Sequence, residues 1–181
     1  IYGISNIFSS IIHIPLTLAL LLAATMSSTD SASVFNILRS QKMGLKNKLQ
    51  PLLEFESGSN DPMAYMLTIA MIQIIQNSGN MSSSDILTIV FNFIVQFGLG
   101  LIIGFVLAKA FVWIINVINL PNKTLYPILM LAFIFFIFAL TEKFSGNGYL
   151  AVYVAGIVMG NCKLVEKKSI SSFLDGLVWL V

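Results

Sequence analysis

The sequence predicts an all-α, polytopic membrane protein that contains a broken transmembrane helix. The first observation is composition: 57% of the 181 residues are hydrophobic and only 10% are charged, which excludes an ordinary soluble domain. The second is a series of apolar runs, several of them long enough to cross the roughly 30 Å of a bilayer's hydrocarbon core. The third is a pair of polar clusters, at 27–31 and 54–62, that interrupt two of these runs.

The ends of the sequence predict a fragment of a longer chain. Ile1 stands where a start methionine is expected, and Val181 falls inside an apolar run, so we expect both ends to be truncated. The single cysteine, Cys162, cannot form a disulfide within this sequence and belongs to no metal-binding motif.

The first predicted elements are the tail of one helix and a second, broken helix. Residues 1–14 are interpreted as the end of an apolar helix, with His13 at the membrane interface. The run 16–38 is long enough to span, but the side chains of 27–31 (SSTDS) compete for its backbone hydrogen bonds. A short loop between two half-length helices is the alternative. Each flank is about a dozen residues, too short to cross alone, so a single broken helix is favoured.

The third and fourth predicted spans lie on either side of a polar loop. The third covers 49–76 and carries the second polar cluster, and the loop 77–85 that follows has no Lys or Arg. The fourth covers 86–108, where Gly100 and Gly104 have the GxxxG spacing that permits two helices to approach closely. One short match of this kind is weak evidence for such a contact.

The rest of the sequence predicts an interfacial segment and three further helices. Lys109 is expected to end the fourth span, and 110–120 is expected to lie in the membrane interface with Trp113 at headgroup level. The further helices are predicted at 125–141, at 149–160 and from about residue 170 onward.

The distribution of basic residues predicts the orientation. Loops alternate sides after each crossing, and the loops on one side carry nine basic residues against one on the other. The basic-rich side is cytoplasmic by the positive-inside rule. The loops on that side are 39–48, 109–123 and 161–169, and those on the other side are 77–85 and 142–148.

The cluster 54–62 (EFESGSNDP) has the chemistry of an ion site. It carries three carboxylates inside a predicted span, where such groups are costly and usually mark an ion path or proton relay. On a helix, Asp61 shares a face with Ser57 and Gly58, a surface of small residues that another backbone can approach. We expect 27–31 to make that approach. Burial disfavours the charged form of a carboxylate. A carboxylate in a partly dehydrated pocket between the two segments can therefore hold a proton or a cation, but not both well.

Other interpretations of these residues stay open. Ser57, Gly58 and Ser59 can be packing residues only. Glu54 is close to a loop and can simply be solvated. Asp30 can act on the helix dipoles at the break rather than touch an ion.

Three segments carry a resemblance to a known family. They are 24–35 (ATMSSTDSASVF), 53–64 (LEFESGSNDPMA) and 148–161 (GYLAVYVAGIVMGN). They closely resemble the NhaP-like monovalent cation/proton antiporters, and within them the branch of potassium/proton antiporters called cell-volume-regulation protein A. The paired TD and ND motifs, in order on adjacent spans, are a specific signal, and the resemblance covers nearly the whole sequence.

The resemblance implies a fold of inverted repeats, present here in part, in which a core domain moves against a dimerisation domain. It implies that 1–76 is the first half of the ion-binding core, with the broken helix at 16–38 and the motif helix at 49–76. It further implies that 77–181 supplies transmembrane helices largely on the dimerisation side.

The resemblance also implies which residues bind the cation and the proton. Thr29 and Asp30 match the motif at the broken helix, Asp61 matches the exchanging carboxylate, and Ser57 matches a side chain near the ion.

Two further residues are implied to brace the site, namely Glu56 and Asn60. Glu56 would pair with an arginine of a later core helix, but no arginine follows Arg39, so we expect the second half of the core to lie outside this sequence. An asparagine at position 60, rather than a second aspartate, favours electroneutral exchange.

The predicted function is therefore a secondary active antiporter of K⁺ or Na⁺ against H⁺ rather than an enzyme, working by alternating access with both ions competing for Asp61. A transport-inactive membrane sensor or scaffold is the alternative, and a channel is a third option. We expect no cofactor, no metal beyond the transported monovalent cation, and no nucleic acid partner. The expected location is the cell (inner) membrane, with the lipid bilayer and a second copy of the chain, in a homodimer, as partners.

Overall fold

The computed structural model describes residues 15–29, 34, 49–76, 83–118 and 120–180, and the regular secondary structure in these ranges is α-helical. The helices are α1 Leu16–Thr25, α2 Leu49–Gln76, α3 Ser83–Val117, α4 Leu125–Lys143, α5 Gly148–Asn161 and α6 Lys167–Leu180. No strand occurs in these ranges, so the predicted all-α class is confirmed. The chain divides into two compact units, 1–95 and 96–181. The elements predicted at 1–14 and 39–48 lie outside the described residues.

In the first unit, α1 packs against α2 through small side chains. Ala19, Ala23 and Ala24 of α1 are buried, and Ala19 and Ala23 are four residues apart on one helical stripe. Ala64 and Met66 are buried on α2. Because alanine is short, the two backbones come close, and the end of α1 reaches the middle of α2.

The break predicted in the 16–38 helix begins directly after α1. The amide of Met26 still donates to the carbonyl of Leu22 at 3.1 Å, but the amide of Ser27 donates to Ala24 at 3.3 Å, one residue short of α-helical spacing. The Ser27 hydroxyl donates to the same Ala24 carbonyl at 2.7 Å. A serine side chain thus competes for a helical acceptor, as the polar cluster predicts. The break is confirmed on this side, and beyond Thr29 only Val34, which is helical, is described before residue 49.

α3 is one continuous helix of 35 residues, Ser83–Val117. The prediction that Lys109 ends a span and that 110–120 forms a separate interfacial segment is therefore wrong. Phe111 and Ile115 are both buried and lie four residues apart, so the apolar stripe continues past Lys109. Lys109 itself is exposed, because a long stem lets its ammonium leave an apolar surface without interrupting the helix.

Two glycines of α3 set its close contact with α5 in the second unit. A Cβ atom at Gly104 would lie 2.5 Å from the carbonyl oxygen of Ala151, and one at Gly100 would lie 2.9 Å from that of Asn147. Real Cβ atoms essentially never come this close, so the absence of side chains is what permits the contact. The GxxxG pair, weak evidence in the sequence, is a helix-packing site in the structure.

The core of the second unit is built from α3, α4, α5 and α6. The rings of Phe111 and Phe133 stack with centroids 3.7 Å apart. The buried residues of this core are Ala108, Phe111, Ile115, Tyr126, Met130, Ile137, Ala151, Ala155, Met159 and Ile170.

The turn between α4 and α5 is fixed by polar contacts at one end of this unit. The Asn147 side chain accepts from the amide of Leu150 at 3.0 Å, and the Glu142 carboxylate accepts from the amide of Gly148 at 2.9 Å. These bonds satisfy two of the amides that the start of α5 leaves without helical partners. The Asn147 amide donates to the carbonyl of Gln96 at 3.0 Å, which ties the turn to α3.

Among the described helices, two are long and apolar enough to cross a membrane, at Ile86–Val117 and Leu125–Lys143. The helix predicted at 149–160 is present as α5, but its 14 residues rise only about 21 Å, less than the roughly 30 Å of a hydrocarbon core. The loop predicted at 161–169 is shorter than expected, because α6 begins at Lys167 and its first turn forms from the backbone at Glu166.

Candidate functional site

The candidate site lies where the segment after α1 meets the middle of α2. The end of α1 and the turn at Met26 and Ser27 leave Ser28 and Thr29 in irregular backbone. On α2, the facing residues are Ser57, Asn60 and Asp61, which share one helical face at spacings of three and four. The sequence therefore builds the site from one short irregular segment and one regular helix.

Three hydrogen bonds connect the two sides. The Ser28 hydroxyl donates to the Asp61 carboxylate. The Ser57 hydroxyl donates to the backbone carbonyl of Thr29 at 2.6 Å, and the Asn60 side-chain amide donates to the Thr29 hydroxyl at 3.1 Å. The two polar clusters that interrupt the apolar runs are thus adjacent in space.

Burial differs across this face. The Ser57 side chain is buried, as are Pro62 and Ala64 further along α2, whereas Asp61 and Thr29 are exposed in this chain. The serine therefore lies on the packed side of the contact, and the carboxylate lies on its exposed side.

The remaining predicted site residues are not all brought into this contact. Asp30 and the side chain of Glu54 lie outside the described residues. Glu56 is exposed, and the one ion pair within the described ranges, Lys123 with Glu166, does not involve it. Its expected arginine partner is therefore untested.

Ser28 is the site residue that sequence reasoning did not single out. The signal was present, because Ser28 stands beside Thr29 inside the polar cluster 27–31. Which hydroxyl of such a run turns toward the neighbouring helix depends on backbone geometry at the break, and sequence spacing does not give that geometry.

The arrangement supplies the ligands that hard monovalent cations require, namely oxygens. The Asp61 carboxylate, the Ser28 and Thr29 hydroxyls and the Thr29 carbonyl all take part in the three hydrogen bonds that connect the two sides. Pro62 has no backbone N–H, so it leaves the Gly58 carbonyl, four residues earlier, without the usual helical donor. The described residues contain no group of three or more His, Cys, Asp or Glu side chains that could hold a metal ion.

Comparison with known proteins gives matches along the whole chain. The model of the family described as "Sodium/hydrogen exchanger, transmembrane" matches residues 1–181. The chain is 36% identical over 161 residues to the K(+)/H(+) antiporter NhaP of Alkalimonas amylolytica and 38% identical over 161 residues to the K(+)/H(+) antiporter NhaP2 of Shewanella oneidensis. Each match covers 89% of this chain and 27% of the relative.

A third relative has a different cation in its name. The chain is 32% identical over 153 residues to the Na(+)/H(+) antiporter NhaH of Halobacillus aidingensis, which covers 83% of this chain and 36% of that protein. The chain thus spans about a quarter to a third of the length of these relatives.

Proposed function

This chain belongs to the transmembrane sodium/hydrogen exchanger family, and we propose that it forms part of a secondary active antiporter that exchanges K⁺ or Na⁺ for H⁺. The observation that carries the proposal is the hydrogen-bonded contact between the segment after α1 and the α2 face that holds Asp61. The names of the relatives, two of which are potassium/proton and one sodium/proton antiporters, support the same class of activity.

Asp61 is proposed as the group that exchanges the two ions. It is the one carboxylate in the described contact, and it is the acceptor of the Ser28 hydroxyl. A carboxylate neutralised by a proton no longer attracts a cation, and a carboxylate bound to a cation has less affinity for a proton. Competition at one carboxylate therefore couples the two fluxes without a second proton site.

The other residues of the contact are proposed to shape the cation site. Thr29 contributes a hydroxyl and a carbonyl oxygen, and Ser57 and Asn60 donate to these two oxygens and so hold their position. Asp30, which follows Thr29 in the sequence, is proposed as a further oxygen ligand at the break. Glu56 is proposed to brace α2 rather than to bind the ion.

The stoichiometry is proposed to be one proton for one cation. A single exchanging carboxylate beside a neutral asparagine carries one charge, so that replacing a proton by a monovalent cation leaves the site's charge unchanged. Alternating access is proposed to carry the loaded site across the cell (inner) membrane, in a multi-pass homodimer.

The test is ion exchange in proteoliposomes that contain the full-length protein. The wild-type protein should dissipate an imposed pH gradient when K⁺ or Na⁺ is added, and Asp61→Asn should abolish this flux while leaving the protein folded in the membrane. Asp175→Asn is the matched control, because Asp175 is an exposed aspartate on α6, far from the contact in sequence, and its variant should retain wild-type exchange.

Two results would contradict the proposal. Near wild-type exchange by Asp61→Asn would remove Asp61 from the mechanism and make Asp30 the next candidate. A folded wild-type protein with no cation-dependent proton flux for any of Na⁺, K⁺ and Li⁺ would instead support a transport-inactive sensor or scaffold.

A further inference from the structure

Half of the basic residues of the chain surround one short connection in the second unit. The connection is 162–166, between α5 and α6. Five of the ten basic residues lie on it, contact it or begin the helix that follows it. These residues, the lysine cluster, are Lys109, Lys123, Lys163, Lys167 and Lys168.

One side of α3 contacts the connection. The Lys109 ammonium lies 3.9 Å from the sulfur of Cys162. The Asn116 side chain donates to the carbonyl of Lys163 at 3.0 Å and accepts from the amide of Val165 at 3.1 Å. The connection is therefore held against α3 at Cys162, Lys163 and Val165.

Few acidic residues lie near the lysine cluster to neutralise its positive charge. Glu166 is its one acidic residue, and it pairs with Lys123, with 2.7 Å between the ammonium nitrogen and a carboxylate oxygen. The Lys167 ammonium donates to the carbonyls of Gly160 and Cys162, which are dipoles rather than charges. Asp175, the next acid along the chain, is eight residues beyond Lys167 on α6, about 12 Å along the helix. Five ammonium groups thus face one nearby carboxylate.

An apolar surface adjoins the cluster on α3. Trp113 is 68% exposed, and it lies between Lys109 and Asn116, both of which contact the connection. Val117, one turn further, is 63% exposed. A large aromatic ring beside ammonium groups is typical of the level at which lipid headgroups meet acyl chains.

The opposite end of the unit lacks this combination. There the turn after α4 carries one lysine, Lys143, next to one acid, Glu142, so that the two formal charges cancel. The positive surface is therefore confined to the end of the unit at which α5 connects to α6.

We propose that the lysine cluster is a binding site for the headgroup of an anionic phospholipid, with the phosphate held by Lys109, Lys163 and Lys168 and the acyl chains lying against Trp113. Basic groups at a membrane surface attract anionic lipids, and an apolar surface directly beside them fits a ligand that has both parts. A free phosphate or a soluble acidic protein has no acyl chains to pack against the exposed tryptophan.

The position of Trp113 provides the assay. The full-length protein is reconstituted in vesicles of dioleoylphosphatidylcholine and dioleoylphosphatidylglycerol, and one of the two lipids at a time is replaced by its dibrominated form, which quenches tryptophan fluorescence on contact. The signal of Trp113 is the difference between the protein and its Trp113→Phe variant. The proposal predicts that brominated phosphatidylglycerol quenches this signal at least several-fold more effectively than brominated phosphatidylcholine.

Three variants separate this site from general attraction to a charged membrane. Each lysine near the surface contributes about a fivefold preference for anionic lipid, so the double variant Lys163→Gln and Lys168→Gln should lose most of the selectivity. Glu166→Gln should increase the selectivity, because it removes the one acid and releases Lys123. Lys143→Gln, the matched control at the opposite end, should leave it unchanged.

The outcomes are distinguishable from a loss of folding, because the variants are expected to change lipid selectivity in opposite directions. Equal quenching by the two lipids in the wild-type protein overturns the proposal, as does a selectivity that the double variant retains. An equal loss of lipid selectivity in the double variant and in Lys143→Gln also overturns the proposal, since general surface charge would then explain the preference for phosphatidylglycerol.

Discussion

Replacing Gly104 by alanine should disrupt the contact between α3 and α5. The added Cβ would lie 2.5 Å from the carbonyl oxygen of Ala151 and 2.8 Å from its Cα atom. Both are backbone atoms of a helix, so they cannot rotate away as the end of a flexible side chain can. The first distance is about 0.9 Å short of the 3.4 Å at which ordinary contact begins, so the two helices must separate.

The size of the effect follows from that separation. A gap of 0.5–1 Å forfeits about a quarter to a half of the attraction between packed atoms. Inserting one carbon into a well-packed contact costs about 1–3 kcal/mol, which exceeds the roughly 1 kcal/mol that alanine gains over glycine in helix propensity. We therefore expect Gly104→Ala to be destabilising on balance.

The assay is unfolding of the purified full-length protein by titration with sodium dodecyl sulfate, monitored by circular dichroism. Gly98→Ala is the matched control on the same helix, because a Cβ atom there would meet nothing within 4 Å. Gly98→Ala should be neutral or slightly stabilising, and Gly104→Ala should lower the free energy of unfolding. Equal stability of the two variants would refute the assigned helix contact.

Three further predictions concern the site and the lysine cluster. Ser28→Ala removes the hydroxyl that donates to the exposed Asp61 carboxylate. A hydrogen bond of this kind contributes about 0.5–1.5 kcal/mol, so the apparent cation KM should rise about twofold to tenfold. Ser59→Ala, which removes a hydroxyl that donates to the Glu56 carbonyl, is the control, and an unchanged KM in Ser28→Ala would exclude a role for Ser28. Glu56→Gln should lower the amount of folded protein in the membrane, and full abundance with a selective change in ion affinity would contradict a bracing role. The hydrogen bond and charge of Glu166 raise the pKa of Lys123 above its ordinary value of 10.5, so the stability that this pair contributes is present below pH 10.5 and is lost as pH rises through the higher pKa of the folded state. The difference in melting temperature between the wild type and Lys123→Gln should therefore narrow above pH 10.5. A difference that stays constant with pH would contradict this role of the pair.

The sequence predicted best those features that depend on local chemistry. The break after α1 follows from consecutive short polar side chains that compete for helical carbonyls, and the motif helix 49–76 was predicted with the bounds that α2 has. The meeting of the clusters around Thr29 and Asp61 was also predicted, because small residues beside Asp61 permit a close approach.

The features that sequence reasoning missed depend on where a side chain ends or on what lies opposite it. Lys109 looked like the end of a span, but its stem carries the charge outward while Phe111 and Ile115 continue the buried stripe. Gly104 became informative only when Ala151 was found against it. In each case a tertiary neighbour, absent from the local pattern, determines the role of the residue.

The central claim, that a proton and a cation compete for Asp61, is tested most directly by the dependence of cation KM on pH in proteoliposomes. If both ions bind one carboxylate, the apparent KM for the cation rises in proportion to proton concentration, approaching tenfold per pH unit on the acid side, while the maximal rate at saturating cation stays constant. An apparent KM that is independent of pH, with a maximal rate that falls on acidification, would require a separate proton site and would contradict the account.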